Sequence, residues 1–255
     1  MKITRAVVPS LFTVLNIFCG FSAVVQTSQE AYHQAAWFII LAAIFDVLDG
    51  VMARITKSSS SFGVEFDSLS DVVSFGLAPS FLVHQSLLYR DGGMGLLVSS
   101  LPLILGALRL ARFNSQLVGF TKEYFRGLPI PASALTISAY ILSFHVDGFG
   151  FTPLTASLLP PLVTVVSLLM VSTIRYDTLP QISRRGIRQH PLRFTVLVVA
   201  VTAIVITKGA ALLPVFGFYL VTGPLRFIVQ YIRQALRPAG KDIKEDEPGM
   251  TSVDV

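Results

Sequence analysis

Eight apolar stretches, each close to the length that crosses a lipid bilayer, leave this chain little choice of architecture. They run over roughly residues 7–26, 33–52, 72–89, 94–112, 129–147, 153–174, 192–207 and 209–231. A bilayer's hydrocarbon core is about 30 Å thick, which takes about 20 apolar residues of α-helix to cross. Inside it every backbone N–H and C=O must be paired within the protein, so these stretches are expected as helices. Composition agrees, with 53% hydrophobic and 14% charged residues and a mean hydropathy of +0.67, against about 25% charged residues in an ordinary soluble domain. The expected fold class is all-α, a polytopic membrane bundle of about eight transmembrane helices. Residues 1–235 are expected to form one integral-membrane domain, and the charged tail 236–255, with its Pro, Gly and Ser, a disordered cytoplasmic extension.

The first stretch follows a basic start, Lys2 and Arg5, as a signal peptide would. It is long for one, and no small-x-small cleavage site follows, so it reads as a retained first helix. With the N-terminus inside, all of the 20 lysines and arginines except Arg90 and Lys208 fall on the cytoplasmic side of an eight-span topology. That asymmetry sets the orientation, with both termini cytoplasmic. The net charge of +5 is thus spent between spans, and a nucleic-acid partner is not expected. The basic run at 183–193 reads as a topology determinant or a surface for anionic lipid head groups. Pro160, Pro161 and Pro224 are expected to kink or end helices.

Chemistry concentrates at residues 45–76. Here Asp46, Asp49, Gly50, Ala53, Arg54, Gly63, Asp67 and Asp71 form the pattern D-x2-D-G-x2-A-R-x8-G-x3-D-x3-D. Carboxylates at the end of an apolar helix are costly and read first as a functional site. Asp46 and Asp49 are three apart and project from one helical face, with Gly50 and Ala53 further along it; Asp67 and Asp71, four apart, share a face of a second helix. Two such helices crossing at a common depth bring four carboxylates together, and four anionic groups so close require divalent cations. Oxygen donors at this density favour Mg²⁺, Mn²⁺ or Ca²⁺ over zinc, and two metals held by carboxylates suit phosphoryl chemistry. Gly50 and Ala53 leave room for a ligand against the helix, and Arg54 is placed to hold phosphate oxygens.

The pattern resembles the signature of the CDP-alcohol phosphotransferases, membrane enzymes that move a phospho-group from a CDP-linked donor to an alcohol. The resemblance implies two ions, Mg²⁺ or Mn²⁺, on Asp46, Asp49, Asp67 and Asp71. It also implies that Asp71 is the general base and that Gly50, Ala53, Arg54 and Gly63 line the CDP-donor site. Thr13 and Asn16 are polar in the otherwise apolar first helix and could join helices. A similar Pro-x-x-x-Thr-x-x-Asn region lies beside the nucleotide in that family, which makes Asn16 a candidate donor-site residue.

A second stretch, 106–131, bears on the acceptor. Arg109 and Arg112 are three apart near the end of the fourth span, and Asn114 follows. They are either ordinary cytoplasmic-side charges or a site for an anionic group. RLARFN followed by Phe125, Gly127, Leu128, Pro129 and Pro131 resembles the phosphatidylserine synthase branch of the family. That resemblance implies transfer from CDP-diacylglycerol to L-serine in a prokaryotic plasma membrane, by a homodimer, with Arg109, Arg112 and Asn114 at the acceptor. An arginine fork pairs well with the carboxylate that serine carries. Glycerol 3-phosphate and inositol stay open as acceptors, and a divalent-cation transporter is a distant alternative.

His33, His84, His145 and His190 lack metal-ligand spacing and read as packing or interfacial residues. Cys19 is the only cysteine and reads as a packing residue.

Overall fold

The computed structural model describes residues 7–56, 60–117, 127–174, 176, 199, 202–204, 206–207 and 209–235. Helix α1 (Val7–Ser28) and helix α2 (Tyr32–Thr56) form a tight antiparallel hairpin. Its turn closes with Glu30 in the left-handed region at φ 62°. The Ala31 N–H donates to Gln26 O and the Glu30 N–H to Thr27 O, the paired closure of a Schellman motif.

Helix α3 (Ser61–Asp71), a π-helical turn (Val72–Leu77) and helix α4 (Ala78–Ser86) follow without a break. The Ser60 hydroxyl caps α3 by accepting from the Gly63 N–H at 3.0 Å, satisfying a donor that the first helical turn leaves free. A short 3-10 turn (Leu88–Asp91) leads into helix α5 (Gly92–Leu117). Helices α6 (Ile130–Phe144), α7 (Pro153–Val171) and α8 (Leu212–Ala235) complete the described bundle. Pro102, Pro160, Pro161 and Pro224 lie inside continuous helices.

The core lies between α1, α2, α4 and α6. Helix α2 contributes Ala35, Ala36, Ala42 and Ala43 around Ile39, all buried, and small residues of this kind let helix backbones approach closely. Phe75, Leu82, Ile137 and Ile141 fill the space opposite. The outward faces are apolar as well, as with Phe18, Ile44, Leu96, Leu168 and Phe218, which is the pattern of helices solvated by lipid.

Six described segments are long and apolar enough to cross a membrane: Leu11–Ser28, Tyr32–Thr56, Ser61–Ser86, Leu88–Ser115, Pro153–Val171 and Leu212–Val229. They fall on six of the expected spans. The stretch at 129–147 is the shorter helix Ile130–Phe144, and the one at 192–207 lies largely outside the described residues, as does the tail 236–255. The third span differs most from expectation, starting at Ser61 rather than at 72.

The entry to α6 shows why its sequence is Gly-Leu-Pro. Gly127 sits at φ +85°, and a Cβ there would collide with the Met170 carbonyl. Its N–H donates to Ile174 O at 2.8 Å and that of Leu128 to Leu169 O at 2.9 Å. The motif therefore ties the start of α6 to the end of α7, and only glycine fits its first position.

Candidate active site

The aspartates of both halves of the motif meet where the second half of α2 faces the C-terminal half of α3. Asp46, Asp67 and Asp71 each bring one carboxylate oxygen within 4.8 Å of the others. Asp49 stands beside this trio without joining it. It is buried, and its Oδ2 accepts from the Thr13 hydroxyl at 2.8 Å. Asp71 is buried too, and its Oδ1 accepts from the Asn16 amide at 3.3 Å.

Helix α1 therefore supplies the polar support of the site. Thr13 and Asn16, three apart on one buried face, each hold one carboxylate. The backbone of the same two residues is used as well. The Ser70 hydroxyl donates to Thr13 O at 3.3 Å, and that of Ser74 donates to Asn16 O at 2.9 Å. Gly20 continues this face, where a Cβ would strike Ser74. The sequence suggested that Thr13 and Asn16 join helices; that each is aimed at a carboxylate appears only in the fold. Ser70 and Ser74 carried a faint signal, two small polar residues at i, i+4 on the face of Asp67 and Asp71.

The donor set fits divalent cations. Carboxylate oxygens from three side chains crowd together with Asp49 beside them, and Asp49 Oδ1 is buried with no hydrogen-bond partner among the described residues. A bare buried carboxylate oxygen costs free energy unless a cation or donor meets it. Hard oxygens without thiolate or imidazole match Mg²⁺-class ions.

The remaining motif residues surround this cluster unevenly. Gly50 is exposed, and the space where its Cβ would stand is open, while Ala53 is half-buried one turn on. Arg54 is exposed and folds back on its own helix, Nε donating to Gly50 O at 2.8 Å. Gly63 sits in the first turn of α3, close under the Ser60 cap.

Of the three residues on α5, the fold separates what the sequence grouped. Arg109 is half-buried, within electrostatic reach of Asp71 and Tyr219, and its Nε is buried without a hydrogen-bond partner among the described residues. Arg112 is exposed. Asn114 docks on α3, its amide donating to Ser68 Oγ at 3.0 Å and Glu65 Oε2 at 3.4 Å. Tyr219 of α8, beside Arg109, had no signal in the sequence.

Comparison with known proteins adds an independent line. The model of the CDP-alcohol phosphatidyltransferase family matches residues 6–171, which contain every residue of this site except Tyr219. A CDP-diacylglycerol–serine O-phosphatidyltransferase of Helicobacter pylori is 35% identical over 226 residues, 88% of this chain and 92% of the relative. An archaetidylserine synthase of Methanothermobacter thermautotrophicus is 39% identical over 179 residues, 69% of this chain and 72% of the relative. A CDP-diacylglycerol–serine O-phosphatidyltransferase of Methanocaldococcus jannaschii is 39% identical over 171 residues, 66% of this chain and 72% of the relative.

Proposed function

Because the chain belongs to the CDP-alcohol phosphatidyltransferase family, we propose that it transfers the phosphatidyl group of CDP-diacylglycerol to the hydroxyl of L-serine, giving phosphatidylserine and CMP. The observation that carries this is the meeting of Asp46, Asp67 and Asp71 from two helices, with Asp49 at their side. The relatives' activity as serine O-phosphatidyltransferases, which their names state, supports serine as the acceptor.

Asp46, Asp49, Asp67 and Asp71 would hold two divalent cations, Mg²⁺ or Mn²⁺, and these would supply charge neutralisation for the donor's pyrophosphate and for the CMP leaving group. The open surface at Gly50, with Ala53 and Gly63 beyond it, receives the cytidine half of the donor. Arg54 is exposed at the edge of that surface and offsets phosphate charge. Asn16 and Thr13 act by holding Asp71 and Asp49 in place rather than by touching the nucleotide.

Asp71 takes the proton of the serine hydroxyl on a carboxylate oxygen as general base. The serine oxygen then bonds to the phosphorus that carries diacylglycerol, and the bond from that phosphorus to the CMP oxygen breaks. Arg109, half-buried and with no hydrogen-bond partner for Nε among the described residues, pairs with the serine carboxylate. Arg112 contributes charge at the mouth of the site, and Asn114 positions α3. One membrane domain over 1–235 does this work as a homodimer in a prokaryotic plasma membrane, with the site on the cytoplasmic side, the side that the distribution of basic residues favours.

The test is a panel of acceptors. Purified protein with Mg²⁺ or Mn²⁺ and CDP-diacylglycerol receives L-serine, glycerol 3-phosphate or inositol, and CMP release is followed. Release with serine alone is expected. Release only with another acceptor would keep the aspartate chemistry and overturn the acceptor. No release from folded protein with any of them would overturn the transferase reading.

A further inference from the structure

At the opposite end of α2 from the aspartates, the fold assembles a second cluster from histidines whose spacing along the chain gave no sign of it. His33, in the first turn of α2, places Nδ1 at 2.8 Å from Asp147 Oδ1. His145, the C-cap of α6, places Nδ1 at 3.7 Å from the same oxygen. One ligand atom from each of the three lies within 4.8 Å of the others. Along α2 the cluster is about 20 Å from Asp46, at ~1.5 Å of rise per residue.

The parts of this cluster are held from outside. The turn between α6 and α7 is closed by a bridge from Val146 to Gly150, with Gly148 at φ 80° and Gly150 at φ 74°. It carries Asp147 back over α2. The His145 ring is fixed by edge contacts with Tyr32 at 4.9 Å and Phe151 at 5.1 Å between centroids. A cavity of about 500 Å³ opens beside His33, lined also by Trp37, Leu142 and Leu213.

An ordinary histidine–aspartate pair accounts for His33 and Asp147 and leaves His145 unexplained. Its side chain is 6% exposed, yet Nδ1 is buried with no hydrogen-bond partner among the described residues. A buried nitrogen 3.7 Å from a carboxylate is too far to hydrogen-bond it, and its polarity is left poorly satisfied.

We propose that His33, His145 and Asp147 bind a divalent transition-metal ion of the Zn²⁺ class at the face of the bundle opposite the carboxylate cluster. Zn–N and Zn–O bonds of about 2.0–2.1 Å set tetrahedral ligand atoms about 3.3 Å apart. The observed 2.8 Å and 3.7 Å bracket that separation, so closure needs shifts of about half an ångström. Two imidazoles and one carboxylate select Zn²⁺ over Mg²⁺, which prefers oxygen donors. Water takes the fourth position. The ion pins the start of α2 to the α6–α7 turn, so its effect falls on stability and not on turnover.

The experiment uses full-length protein without a histidine tag, in detergent, stripped of metal and then saturated with Mg²⁺ to fill the aspartate site. Zn²⁺ uptake is measured by competition with a chromophoric indicator, alongside thermal unfolding and X-ray absorption of the zinc-loaded sample. Wild-type protein is expected to bind one Zn²⁺ more per chain than His33→Ala or Asp147→Ala. It should show imidazole scattering and unfold at a higher temperature with Zn²⁺, a rise the variants lack. CMP release should be the same in all three. His33 and Asp147 are chosen because both are partly exposed and their replacement spares the core. Equal uptake by wild type and both variants, or oxygen-only scattering, would overturn the site.

Discussion

Replacing Thr13 by valine isolates the support that α1 gives to the carboxylates. The change keeps the branched shape and removes one hydroxyl, so the 3%-exposed site gains no sizeable cavity. What is lost is the 2.8 Å hydrogen bond to Asp49 Oδ2. The other oxygen of that carboxylate lacks a hydrogen-bond partner among the described residues, so the variant removes the donor that α1 provides to Asp49. A hydrogen bond to a charged group contributes about 1.5–3 kcal/mol, and each 1.4 kcal/mol is about tenfold. If that energy serves to hold Asp49 for metal and donor, kcat/KM for CMP release falls about 10–150-fold. The deficit should shrink as Mg²⁺ is raised, since bound metal can restore the orientation. Thr27→Val is the control. Thr27 is equally buried on the same helix, and its hydroxyl donates to Ala23 O of the same helix. Rates for Thr13→Val within twofold of wild type at limiting Mg²⁺ would refute the assignment of α1 as the positioning element.

Other substitutions probe the remaining parts. Asp71→Asn keeps the shape and can still accept from Asn16, so the protein should fold and bind CDP-diacylglycerol while turnover drops about 10²–10⁴-fold, the span of general-base catalysis; retained turnover in the CMP assay would sink the role. The same variant should melt at a higher temperature than wild type in metal-free buffer, because one of several crowded like charges is gone. Gly127→Ala sets a Cβ against the Met170 carbonyl at positive φ, and overpacking of about 1–3 kcal/mol should lower the melting temperature in detergent. Burial, and then neighbouring Tyr219, pushes the Tyr176 phenol up to about 12. The unfolded phenol ionises first, near pH 10, so stability should fall as pH rises from there toward 12; Tyr176→Phe should flatten that part of a melting-temperature profile.

How much of the fold and site was legible in the sequence depended on how local each signal was. The helices were, because lipid imposes a length and a polarity on every crossing segment. The faces of the aspartates were in part, because pairs at i, i+3 and i, i+4 fix them whatever the tertiary structure, but that Asp49 stands outside the trio was not. The start of the third span was missed for a physical reason. Glu65, Asp67 and Asp71 depress the average hydropathy over 61–71, and hydropathy cannot tell a carboxylate aimed into a cluster from one bathed in water. The second cluster was missed for another reason. His33 and Asp147 are 114 positions apart, and their meeting is a product of the α2–α6 packing rather than of any spacing. Arg109, Arg112 and Asn114 read as one group because they are close in sequence, but three positions on a helix end point to three different surroundings.

The π-helical turn after Asp71 carries the least trace in the sequence and accounts for much of the geometry. Residues 72–77 read VVSFGL, which suits an α-helix as well as anything else. A π turn accommodates one extra residue and so rotates the helix on its C-terminal side by about 100° relative to the helix on its N-terminal side. Before it, α3 aims Asp67 and Asp71 at the partners on α2. Within it, Ser74 reaches the Asn16 carbonyl and Phe75 fills the core. After it, Ala78 and Leu82 of α4 are fully buried against the rest of the bundle. One regular helix has a single register and would have to compromise between the face that serves the carboxylates and the face that packs. The wide turn separates the two demands, and it does so next to the residue assigned as base, where a shift of register matters most.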